Sequence, residues 1–313
     1  VYTLGKIAPN YTSTPVTALI RNFNSTSHDY SVTLKIKDAA SNALRYTEMQ
    51  TITIGADTVG LVAFTGWFPT INETDSIIVC IPAQTNEDVL NNNSNFYLQT
   101  VNPYMVSFAD GANQLTQAGT DTMEGYTLSR QLMDGCGKIN SVDVYLTASA
   151  TDHAVYAVVM DTLKNLIALS VPFTPDSSQV NKYHTFYLTT PPSLKNEEYY
   201  VGLAQPKDGA NAYYPVGVQW EGGQIRDSAY YRYHTLNDSL FHQALPGRLM
   251  ISAEMIPAVP IPTITGDLFL CTSTVDTLIV SSLAPRFADS IIAFSSQYSP
   301  EQYSANQALG TPD

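Results

Sequence analysis

Residues 197–234 read EEYYVGLAQPKDGANAYYPVGVQWEGGQIRDSAYYRYH and hold seven tyrosines together with Trp220. Two strand-like runs, 199–204 and 213–218, flank a turn built on Asp208, Gly209, Ala210 and Asn211. Successive side chains of a strand point to opposite faces of its sheet. A segment this aromatic must therefore bury some rings and turn others outward. Strands favour aromatic residues for packing alone, so the core is the default place for any one ring. The rings left outside form the candidate binding surface.

The rest of the chain fits the same class, all-β. Runs at 16–20, 30–36 and 49–54 alternate apolar and polar residues, the mark of half-buried strands, and Gly55-Ala56-Asp57 closes the last with a turn. Further strands are predicted at 60–64 and 76–81, with Trp67-Phe68-Pro69 as a half-buried plug between them. Short strands at this spacing, without an amphipathic helix, predict an immunoglobulin-like sandwich over residues 1–95. The run Asn91-Asn92-Asn93-Ser94-Asn95 is too turn-prone for a strand interior and marks the predicted boundary. It reads as a linker rather than a calcium site, because no regular Asp-x-Asp-x-Asp-Gly spacing accompanies it. Residues 96–256 predict a jelly-roll sandwich, with strands at 142–146, 154–160, 166–171, 184–188, 199–204, 213–218 and 248–253 and a turn at 161–165. Residues 257–313 begin with a proline-spaced linker and hold two further apolar runs, 277–280 and 290–294. Too few apolar residues remain there for a separate core. The expectation is a partial β domain, continued beyond Asp313, or a strand-exchange tail packed on another surface.

Charge narrows the function. The formal net charge is -13 and the pI about 4.6, so the basic footprint of a nucleic-acid binder is missing. No apolar run approaches the roughly 20 residues of a membrane span, and no membrane insertion is expected. Charged residues make up only 14% of the chain, which suits an extracellular β-protein. The sequence opens on Val1, so removal or omission of an upstream segment is expected. Cys80, Cys136 and Cys271 lie too far apart for a zinc site, and Cys80, within Ile77-Ile78-Val79-Cys80-Ile81, reads as a small buried hydrophobe. His28, His153, His184, His234 and His242 show no metal-ligand spacing. Neither a Gly-x-Ser-x-Gly elbow nor a phosphate-binding glycine loop occurs, and no spacing selects a carboxylate pair from Glu197, Glu198 and Glu221. Asp110 and Asp208 both stand in Asp-Gly-Ala-Asn, an internal echo that reads as two turns. Neither a cofactor, a metal nor an enzymatic activity is expected.

Three sets of motifs carry a resemblance. Val1-Tyr2-Thr3-Leu4-Gly5 and Ile20-Arg21-Asn22, with the closing Asn run, resemble the CARDB-like, cell-adhesion-related immunoglobulin modules of large exported bacterial proteins. Tyr200-Val201-Gly202-Leu203-Ala204-Gln205, Tyr214-Pro215-Val216-Gly217-Val218-Gln219 and Gly247-Arg248-Leu249-Met250-Ile251 resemble a jelly-roll module of modular surface proteins of Bacteroidota. The tail from Ile292 to Ser299 and from Ser304 to Gly310 resembles the first strands of a further β-sandwich. The resemblance implies export by the type IX secretion system, which usually requires a C-terminal sorting domain not found in this sequence. Asp-Ser/Thr followed by an aliphatic residue or Met resembles the O-glycosylation motif of Bacteroidota and marks Thr58, Ser76, Thr122, Thr162, Ser228, Ser239, Thr277 and Ser290.

The expected function is that of a structural or adhesive module of a secreted cell-surface protein, a large adhesin or a subunit of an extracellular filament or sheath. Its partners would be neighbouring modules, copies of itself, and glycans. The alternative is a carbohydrate-binding accessory module of a secreted enzyme. A tyrosine or tryptophan laid flat on a sugar ring gains contact area with little loss of conformational freedom. The candidate glycan face is Trp220, Gln224, Arg226, Tyr230, Tyr231 and Tyr233, with Gln224 and Arg226 orienting hydroxyls. Trp220 is expected in the core, and Tyr231 and Tyr233 are expected to share an exposed face.

Overall fold

The computed structural model describes residues 3–7, 16–65, 67–69, 72–83, 92–102, 104–110, 116–209, 211–220, 229–242, 245, 247–257, 263–265 and 279–281. The protein is all-β: among the described residues there are strands, turns and two single 3-10 turns, and no helix long and apolar enough to cross a membrane. It divides into two compact units, Val1–Pro257 and Ala258–Asp313.

The first unit has two lobes. Its first strands are β1 (Lys6–Ile7), β2 (Thr17–Arg21), β3 (His28–Asp38), β4 (Leu44–Ile54), β5 (Val59–Ala63), β6 (Thr74–Cys80) and β7 (Ser94–Val101). β2 and β5 pair as one small sheet, and the other runs β4-β3-β6-β7, antiparallel throughout. Alternation decides which face is buried. Tyr30, Val32, Leu34 and Ile36 of β3 and Ile77 and Val79 of β6 point at Ala18 and Val62 of the small sheet. Each such side chain taken fully from water contributes about 1.5–3 kcal/mol. Asn22 is fully buried, donating through Nδ2 to the carbonyls of Ile54 and Gly55 and accepting from the Tyr30 hydroxyl at 2.8 Å. Trp67 half-buries against this core with its ring 5.9 Å from Tyr46, while Phe68 is exposed.

The remaining strands of this unit are β8 (Met105–Ser107), β9 (Thr116–Ala118), β10 (Gly125–Leu146), β11 (Tyr156–Asp161), β12 (Leu166–Leu169), β13 (Lys182–Tyr187), β14 (Ser193–Gln205), β15 (Val216–Trp220), β16 (Tyr230–His234), β17 (Ser239–His242), β18 (Gly247–Leu249) and β19 (Ile251–Pro257). β10 serves both sheets of the second lobe, and its register slips at Met133/Cys136 and Ile139/Ser141. Bulges of this kind bend a strand. Its first half belongs to the sheet β12-β11-β14-β10-β16-β17, and its second half lies between β13 and β19. Val142, Val144, Val201, Leu203, Val216, Val218 and Ile251 fill the space between the sheets. The buried Tyr199 donates its hydroxyl to Gln131 Oε1 at 2.9 Å, and Tyr213 donates to the Pro206 carbonyl at 2.7 Å.

The two lobes are joined through backbone. β7 runs parallel to β1, β1 is antiparallel to β8, and β8 is antiparallel to β19. The four-stranded sheet of the first lobe therefore continues into the second. Gln99 Nε2 donates to the Leu4 carbonyl at 2.9 Å and the Tyr97 hydroxyl to the Phe108 carbonyl at 2.7 Å. The Arg248 guanidinium lies 4.1 Å from the centre of the Tyr97 ring and 3.3 Å from Asp110.

Several expectations need correction. Ser94 and Asn95 are strand residues paired with Cys80 and Val79, so the predicted boundary at 95/96 cuts through β7. Cys80 is a free, half-buried thiol on the outer side of β6, because Ile77 and Val79 take the inward positions. The run 213–218 becomes strand only at Val216; Tyr213 makes an isolated bridge to Asp121. The turn at Asp208 forms, with Asn211 N donating to its carbonyl at 3.1 Å, but β14 pairs with β10 and β11, and β15 with β9, β10 and β18. In the second unit, β20 (Thr263–Thr265) and β21 (Ile279–Ser281) form an antiparallel pair.

Candidate functional site

The outer face of the sheet β12-β11-β14-β10-β16-β17 gathers five tyrosines that point away from the main core. Register places Tyr156, Ala204, Tyr126, Tyr233 and Leu240 in one row across five strands, and Val158, Gly202, Leu128, Tyr231 and His242 in the next. Leu128, Val158, Met160, Tyr200, Ala204 and Tyr231 form a second apolar cluster on this side, with Tyr126, Tyr156, Tyr233 and Leu240 packed against it. Gly202 makes the arrangement possible. A Cβ there would stand 2.0 Å from the Thr127 carbonyl oxygen and 2.9 Å from the Leu128 Cα, so only glycine lets the two strands approach this closely. Tyr200 and Tyr231, on the strands either side of β10, meet edge to face at 4.9 Å, and Leu128 between them is fully buried.

The hydroxyls are tied into the surface. Tyr126 stacks on Tyr233 at 5.2 Å and shares a hydrogen bond with Tyr156. Burial, with Tyr126 and Glu124 nearby, pushes the Tyr156 hydroxyl up to about 12. Tyr233 donates to Asp238 Oδ1 at 2.6 Å, and that bond raises its own hydroxyl to about 12 while holding the Asp238 carboxyl below the usual carboxylate range. Asp238 sits at φ 49°, in the left-handed region, and Lys164 reaches it at 3.4 Å from the turn after β11. At the other end Arg130 pairs with Glu198 and hydrogen-bonds Tyr231. The result is a rigid amphipathic patch: a tyrosine surface with an ion pair at each end. Among the described residues no group of three or more His, Cys, Asp or Glu could hold a metal ion.

The predicted glycan face does not stay together. Trp220 ends β15 and is 56% exposed rather than in the core, because it stands past the last core residue, Val218. Tyr230 points inward, fully buried against Phe108. Tyr231 is buried, not exposed, since Tyr200 and Leu128 close over it; Tyr233 shares its face and is half-buried. Gln224, Arg226 and Ser228 lie outside the described residues. Sequence reasoning missed Tyr126 and Tyr156. The alternation of Tyr126, Leu128 and Arg130 along one strand was the available signal.

Of the candidate glycosylation positions, Thr58, Thr122 and Thr162 are exposed at turns, and Ser239, half-buried, opens β17 just after one. The preceding aspartates Asp57, Asp121 and Asp238 all have φ between 49° and 64°. Ser76 lies within β6, half-buried, next to the fully buried Asp75. Thr277 and Ser290 lie outside the described residues. The chain matches no protein-family model and no curated protein.

Proposed function

We propose that the chain is a structural and adhesive segment of a secreted cell-surface protein, an immunoglobulin-like sandwich fused to a jelly roll. The observation that carries this reading is the sheet that continues from one lobe into the other through β1 and β8. Domains on a flexible linker swivel. Here backbone hydrogen bonds cross the joint, and Arg248 clamps it from the second lobe onto Tyr97. Such a joint transmits orientation along a rod. The aspartate turns carrying Thr58, Thr122 and Thr162 offer exposed hydroxyls that a glycan could occupy without entering the core. Export by the type IX route and assembly into an adhesin or sheath belong to the same proposal. Protease added to intact cells should remove the protein, and its native mass should exceed the sequence mass by one or more glycans. A protected protein of unmodified mass would overturn the reading.

A second reading, glycan binding, is favoured by the half-exposed rings of Tyr126, Tyr156 and Tyr233 between two ion pairs. Tyr126→Ala combined with Tyr233→Ala should then abolish retention on a polysaccharide array at temperatures where the variant remains folded. Unchanged retention, or none by the native chain, would remove it.

A further inference from the structure

We infer that β4 is a self-docking edge: its free side takes up β4 of a second copy of the chain, antiparallel, about a two-fold axis through Met49. β4 is eleven residues long and pairs with β3 alone. Among the described residues no backbone hydrogen bond leads from it to any other strand. Edge strands that stay single are normally short, or carry proline, lysine or a bulge. The edges of the second lobe follow that rule, for β12 and β17 have four residues each. β4 does not. It has neither proline nor lysine, its one register slip lies at its start beside Leu44, its charged Arg45 and Glu48 are engaged within the lobe, Glu48 with Thr65 N at 3.0 Å, and Met49 is 66% exposed.

The strand also fits itself. Thr47, Met49, Thr51 and Thr53 face solvent, while Tyr46, Glu48, Gln50 and Ile52 alternate toward the core side. A two-fold axis through a residue keeps these faces matched; an axis between residues would set one copy's core side against the other's solvent side. Met49 is the midpoint of the regular stretch from Tyr46 to Ile52, so an axis there pairs that stretch with its faces matched. Tyr46 then opposes Ile52 of the second copy, Thr47 opposes Thr51, Glu48 opposes Gln50, and Met49 opposes itself. These are an apolar pair and a threonine pair, favourable across strands, while Glu48 and Gln50 keep the bond they already make within one strand. No carboxylate meets a carboxylate despite the net charge of -13, and Arg45 is already paired with Asp38 and Asp75 in its own lobe. A ladder from Tyr46 to Ile52 supplies about six to eight backbone hydrogen bonds, within the range a typical protein interface carries.

The inference is independent of cell-surface location, and each can fail without the other. In the full chain with Cys80, Cys136 and Cys271 changed to Ser, Met49→Cys should form a covalent dimer on mild oxidation. Directly opposed residues lie about 4.5–5.5 Å apart at Cα, within disulfide reach. Thr47→Cys alone should not cross-link, since its counterpart lies about 13 Å along the strand, whereas Thr47→Cys mixed with Thr51→Cys should. Met49→Lys should weaken the dimer about tenfold or more in sedimentation, because two like charges would meet on the axis. At dilutions where both chains are monomeric its melting temperature should stay that of the parent, which separates lost pairing from lost fold. A native chain that sediments only as a monomer, a dimer in which Met49→Cys stays reduced, or cross-linking by Thr47→Cys alone would each overturn the proposal.

Discussion

The sheet β4-β3-β6-β7 and the sheet β12-β11-β14-β10-β16-β17 differ in how many faces they bury. The first covers one. Its inner residues reach zero exposure while Phe96 and Leu98, on the outer side of β7, are 62% and 42% exposed. The second covers both, with valines, leucines and Tyr199 on the inner side and the tyrosine cluster on the outer. A sheet buried on one face reads as alternation, and one buried on both reads as an unbroken apolar run. β14 shows the second pattern, since Tyr199 through Gln205 are all buried. The difference also decides what an outward side chain is worth: in the first lobe it is surface, in the second it is core.

The largest effect should come from Leu128→Ala. The residue faces outward yet is fully buried, and its loss should destabilise the unit by about 3–4 kcal/mol in chemical denaturation. Gly202→Ala should follow at about 2–3 kcal/mol, because the new methyl meets backbone, which cannot move aside as a side chain can. Alkali should act next, through the tyrosine face among other buried hydroxyls such as those of Tyr183 and Tyr213, which burial also raises. Tyr156 and Tyr233 titrate near 12 when folded against 10.0 for an ordinary tyrosine, so the folded state holds the extra protons. Their contribution is complete below pH 10 and is lost as pH rises through about 12, measurable as a late phenolate step in ultraviolet titration coincident with unfolding. Phe96→Ala and Trp220→Ala should change stability by no more than about 0.5 kcal/mol, as both rings stand in solvent. A cost for Phe96→Ala equal to that of Leu128→Ala would erase the distinction between the two sheets.

The same distinction explains how far the sequence could be read. The alternating runs of the first lobe located β2 and β3 within a few residues, because each had one dry and one wet face, and the apolar runs at 60–64 and 76–81 fell on β5 and β6. The first half of β10 escaped notice. Gly125 to Gln131 carries threonine, serine and glutamine at positions that the folded chain buries, so no polar face was visible. β7 was masked by the asparagine run before it, whose turn chemistry is real but stops one residue short of Ser94. Tyr231 was expected outside because nothing local announces Tyr200 and Leu128, which reach it only after β10 has come between β14 and β16. Trp220 failed in the opposite direction. Its face follows from alternation with Val216 and Val218, but where the core ends along a strand is a property of the assembled sheets.

The joint between the lobes has a kinetic consequence. β1 finds its neighbours near Thr100 and Ser107, and β8 finds its second neighbour only at Ser252–Glu254, with Lys6 and Ser252 separated by 246 positions. Closing contacts over such separations spends chain entropy before any hydrogen bond returns it, which slows folding. During synthesis from the N-terminus, either lobe's local hairpins can form while the outer edge of β8 still waits for the final strand. Completing the joint requires β8 and β19 to meet, and a chain stopped before β19 presents that unfinished edge to whatever strand arrives first.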